Sequence, residues 1–77
     1  MAFDMSELSA NLRAARARTR CSQSEVAKIV GVSRAALRAW EAGENIPGID
    51  SIYELACFYG VGPSELTGWK LDDRPTA

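Results

Sequence analysis

The chain reads as an all-α domain of five short helices. Glycine and proline divide its 77 residues into helical segments, and nowhere do apolar residues alternate with the period of two that a half-buried strand requires. Residues 22–43 also hold two helix-start signals and two helix-stop glycines, Ser22 with Glu25 then Gly31, and Ser33 then Gly43. A hydrophobic content of 47% is ordinary for a globular protein, and the length allows one domain near the lower limit for an unassisted core.

The first helix is expected over about residues 6–19, started by Asp4 or Ser6. Leu8, Leu12 and Ala15, at i, i+4 and i+7, give it one inward stripe, with Arg13, Arg16 and Arg20 outside it. The second, over 23–30, opens on a capping box. The Ser22 hydroxyl accepts a backbone N–H while the Glu25 carboxylate reaches back for another. Val26, Ala27 and Val30 face inward, and Gly31 tolerates the left-handed exit. Ser33 starts the third helix, over 34–42, which buries Leu37 and Trp40 and stops at Gly43. Two short helices joined by a tight turn containing glycine form a helix-turn-helix, whose second helix is suited to a DNA major groove.

Residues 44–48 read as a loop. The fourth helix, over 49–59, turns Ile52, Leu55, Ala56 and Tyr59 inward and stops at Gly60. The fifth starts at Gly62 with Pro63 in the first helical position, where its missing N–H costs nothing. It carries Glu65 in its first turn, holds Leu66 and ends at Gly68. Residues 1–70 are thus expected to form the domain and 71–77 a flexible tail.

Charge is unevenly placed. Residues 1–38 carry seven basic and three acidic groups, a balance of +4, and residues 39–77 carry two basic and seven acidic, a balance of −5, which together give the net −1. That asymmetry suggests one face for phosphate and another turned away from it, with weak nonspecific affinity for DNA overall. Two cysteines and no histidine define no metal site, and no cofactor is expected. Cys21 reads as a small buried hydrophobe and Cys57 as partly exposed, both reduced. No apolar run is long enough to span a bilayer and the start lacks a signal-peptide pattern, so a cytoplasmic location is expected. Without histidine, a phosphate-cradling glycine loop or a nucleophile beside a base, an enzyme is not expected.

Several linked motifs resemble one family. They are Leu12-Arg13-x-x-Arg16, Ser22-Gln23-x-Glu25-Val26-Ala27, Gly31-Val32-Ser33-Arg34 and Trp40-Glu41-x-Gly43, then Pro47, Leu55-Ala56, Gly60-Val61 and Glu65-Leu66. In this order and spacing the chain resembles the lambda-repressor and Cro-like (XRE-type) helix-turn-helix domains over about residues 8–66. The resemblance implies a compact five-helix domain whose second and third helices contact operator DNA.

On that resemblance, Ser33, Arg34, Ala35, Arg38 and Ala39 are the base-reading candidates. Arg34 is foremost, because arginine can donate two bonds to guanine O6 and N7. Ser22 and Gln23, at a helix start that favours anions, are phosphate candidates, joined by Arg13 and Arg20 through charge. For those two arginines an ordinary solvated surface is an equal reading. Arg16 and Glu41 match positions that often form a structural ion pair in the family. Ala36, Ala39 and Ala42 offer no hydrogen bonds where polar residues are common, so readout rests on few side chains, with specificity either modest or shared with DNA shape or an N-terminal arm. The acidic Glu44 stands where many relatives place basic residues.

Such domains usually act as two-fold dimers on half-sites roughly 34 Å apart. Phe58, Leu66, Trp69 and Leu71 are the expected dimer surface, with a cap on the domain an equal reading for Trp69, and the dimer is expected to be weak. The leading expectation is a phage or bacterial repressor binding an inverted-repeat operator in double-stranded DNA. The alternative is a protein-interaction module on the same fold, an antitoxin or antirepressor-like binder of a regulatory partner.

Overall fold

A computed structural model describes residues 5–69. Five helices follow in order: α1 (Met5–Thr19), α2 (Gln23–Val30), α3 (Arg34–Glu41), α4 (Ile49–Tyr59) and α5 (Pro63–Thr67). Asp4 as a helix starter, Leu71 as a dimer residue and the tail 71–77 lie outside the described residues.

The caps form as local chemistry dictates. The Ser22 hydroxyl accepts from the Glu25 N–H at 3.1 Å, and the Glu25 carboxylate accepts from the Ser22 N–H at 2.7 Å. At the next start Ser33 Oγ accepts from the Ala36 N–H at 3.0 Å. At the end of α3 the chain reverses through Gly43, whose φ of +77° is open to glycine without strain. The Glu44 N–H then reaches back to the Ala39 carbonyl at 2.9 Å, and the Gly43 N–H to the Trp40 carbonyl at 3.2 Å. That pair of bonds is a Schellman closure, which satisfies two carbonyls the helix would otherwise leave bare. The exit of α1 is less comfortable, because Arg20 takes a left-handed φ of 61° where glycine would be easier.

One core joins all the helices. Leu8 and Leu12 of α1, Val26 of α2, Leu37 of α3, Ile52 and Leu55 of α4 and Leu66 of α5 are all fully or almost fully buried. The long α1 packs against α3, α4 and α5, while α2 sits on α3 and α4. Asn11 ties α1 to the end of α5 by donating its amide to the Glu65 and Leu66 carbonyls, at 3.2 and 3.0 Å. Val30 and Tyr59, expected inside, are half-buried at the core margin. Leu66 requires a correction: at 2% exposure it belongs to the core and cannot form a dimer surface. Its short helix is pressed onto α1 and α4, which leaves no free apolar face at that position.

Candidate nucleic-acid interface

The geometry of α3 follows from which of its residues the scaffold needs. Leu37, Ala39, Trp40 and Glu41 are buried, whereas Arg34, Ala35 and Arg38 are exposed, as are Ser33 before the helix and Ala42 at its end. At roughly 100° per residue Arg34, Arg38, Ala42 and Ala35 share one arc, with Ser33 at its N-terminal end as the cap. Ala39 lies just beyond the edge of that arc and is only 6% exposed. Its expected place among the base-reading residues is therefore corrected: its methyl group packs within the fold and is not available to a groove.

Glu41 fixes the orientation of the arc. Its side chain is 3% exposed, and its carboxylate receives Arg16 Nε at 2.7 Å and Arg16 Nη2 at 3.0 Å. Gln23 Nε2 donates to the same carboxylate at 3.0 Å. Arg16 Nη1 also reaches the Cys21 carbonyl at 3.2 Å, and an Arg13 terminal nitrogen donates to the Glu41 main-chain carbonyl. One buried carboxylate thus ties α1 and α2 to the last turn of α3. The paired hydrogen bonds to Glu41 raise the Arg16 pKa further, so this arginine stays charged. Beside them Tyr59 is pushed up to about 12, by burial first and by the Glu41 charge second.

The two arginines of the arc differ. Among the described residues Arg34 makes no ion pair, while Arg38 Nη2 lies 3.0 Å from Glu44 Oε1 and Arg38 Nη1 lies 3.5 Å from Glu44 Oε2. The bonds to Glu44 raise the Arg38 pKa. Ser22 is exposed at the start of α2, with its hydroxyl engaged in the capping box. Gln23 is half-buried and committed to Glu41, and Arg13 is committed in part to a carbonyl. Arg20 is exposed at the exit of α1.

Sequence reasoning missed three of these partnerships. The Gln23–Glu41 and Arg13–Glu41 bonds join different helices, and no local pattern announces them. The Arg38–Glu44 pair had a usable signal: a Schellman exit at Gly43 turns the following residue back beside the last turn. Phe58 and Trp69 are half-buried and packed against the core. Among the described residues the large apolar side chains that are exposed lie elsewhere, at Ile29, Ile46, Ile49 and Tyr53.

A capped helix pair with the second member pinned from behind and an arginine-bearing arc in front defines a helix-turn-helix DNA-binding domain. The chain belongs to the XRE-type helix-turn-helix family, whose sequence pattern matches residues 12–66. Its fold is also that of the solution structure of the SOS-response transcriptional repressor LexA from Eubacterium rectale. The match has a TM-score of 0.80 and 29% identity, and covers 100% of this chain and 84% of that one. No curated protein sequence matches the chain. Family and fold together make it a DNA-binding regulator domain.

Proposed function

We propose that this domain is a transcriptional repressor of phage or bacterial type, reading an inverted-repeat operator as a weak dimer with α3 in the major groove. The observation that carries the reading is the division of α3 into a buried side held at Glu41 and an exposed arc bearing Arg34, Ala35 and Arg38. A rigid helix that offers so few donors can discriminate bases only if its angle is set in advance, and the Glu41 cluster sets it. Arg34 is the base reader, with its fork uncommitted, and Ala35 beside it suits a thymine methyl. Ser33 completes the arc at its start. At α2 the capping box takes the Glu25 N–H, which leaves the N–H groups of Gln23 and Ser24 for a phosphate beside the exposed Ser22. Arg13 and Arg20 add attraction at longer range. The likeness to the LexA repressor structure supports the regulatory role.

No described helix is long and apolar enough to cross a membrane, which suits a cytoplasmic regulator. A dimer has Phe58 and Trp69 as partly exposed aromatic contacts. The exposed Ile29, Ile46, Ile49 and Tyr53 favour a second reading, a protein-binding module on this fold.

Selection of bound sequences from a random duplex pool tests the assignment, with the Arg34→Ala/Arg38→Ala variant run beside the wild type. An enriched inverted repeat that vanishes with the arginines is the expected result. Arg34→Ala alone should cost about 1–3 kcal/mol of operator binding and relax preference at one base pair. An unenriched pool from the wild type would shift the function to the protein-binding reading.

A further inference from the structure

The Arg38–Glu44 pair occupies the surface that DNA would use. Glu44 is placed there by its own backbone, since its N–H is bonded to the Ala39 carbonyl at 2.9 Å across the Gly43 turn. Its carboxylate faces both terminal nitrogens of Arg38, at 3.0 and 3.5 Å. These nitrogens are one of the edges with which arginine grips a phosphate or guanine O6 and N7. An acidic side chain just past the C-terminal end of a helix gains nothing from the helix dipole, so capping does not account for it. The two side chains remain 50% and 56% exposed, so the pair can be opened by a competing anion without stranding a buried charge.

We infer that Glu44 is an internal competitor for DNA: it holds the Arg38 fork in the free protein and must be displaced before that arginine can engage the duplex. The inference rests on α3 being the DNA-facing helix. Its consequence is selectivity. A duplex that offers only phosphates must open the pair for a small return, so nonspecific binding is held down and recognition leans on Arg34, the arc's uncompensated arginine.

The test is a two-by-two cycle on the full chain: wild type, Glu44→Gln, Arg38→Met and the double variant. Each is titrated by fluorescence anisotropy into a mixed-sequence duplex from about 50 to about 200 mM salt. Both substituted side chains are exposed in the fold, and helical circular dichroism checks that the variants remain folded. Glu44→Gln should tighten binding roughly three- to tenfold and steepen the log–log salt slope by about 0.9, one additional phosphate contact. In the Arg38→Met background the same change should add less than about twofold. An equal gain in both backgrounds would make Glu44 a simple repulsive charge and overturn the competitor role. No gain at all would overturn it as well. Failure of all four proteins to bind any duplex would remove the DNA reading itself, an outcome distinct from either.

Discussion

The third helix carries an arginine–glutamate pair on each side, and the two have opposite characters. At its back, Glu41 is 3% exposed and takes Arg16 through two bonds, with Gln23 as a third donor. At its front, Arg38 and Glu44 are more than half open to water on average and join only residues within one helix exit. The same chemistry therefore serves two purposes. A buried carboxylate cannot give up its partners without stranding a charge, so the rear pair fixes where α3 points. An exposed pair exchanges partners readily, so the front pair leaves α3 free to respond to a ligand.

Removing the rear carboxylate should have the largest effect. Glu41→Ala strands Arg16 and releases Gln23, and should destabilise the fold by about 3–5 kcal/mol. That is much of the stability of a domain this size, and it is read as the shift of the urea midpoint. A loss well under about 1 kcal/mol would mean that the rear pair is no more structural than the front one.

Gln23→Ala keeps the Arg16–Glu41 bonds and removes one donor, so about 1 kcal/mol of stability should be lost. By loosening the cluster that sets the angle of α3, the same variant should weaken DNA binding evenly across sequences. A loss confined to one operator sequence would instead make Gln23 a base reader.

Tyr59 supplies a pH test of the buried cluster. The folded protein holds this phenol protonated up to about 12, whereas the unfolded chain releases the proton near about 10. Between those values the native state binds the extra proton, so stability falls as pH rises through that window and is fully present below it. The hydroxyl is buried with no hydrogen-bond partner among the described residues, so Tyr59→Phe should leave neutral-pH stability almost unchanged and flatten the alkaline decline. Urea titrations at neutral and alkaline pH read both effects.

The smallest effect belongs to the front. Glu44→Gln should leave the thermal midpoint where it is, because an exposed pair adds little to folding. A marked drop in the midpoint would show that the pair holds the helix exit closed.

What the sequence alone determined lies within four or five residues of its cause. Ser22 with Glu25, Ser33, Gly31 and Gly43 set helix ends through bonds to their own neighbours, and Pro63 sets one through its fixed φ. The Leu8–Leu12–Ala15 stripe, likewise, follows from helical period. Pairing of Arg16 with Glu41 was legible only through family resemblance, since 25 residues separate them. Tertiary packing decided the rest. Ala39 sits at the edge of the reading arc, where the distance of neighbouring elements determines whether a methyl group is covered. Leu66 carries the same local pattern whether it meets a partner or the core. Gln23 meets the buried Glu41 carboxylate, and Arg13 the Glu41 main-chain carbonyl, because three helices converge at the end of α3. Local rules specify which side of a helix is apolar, but burial depends on what else arrives there.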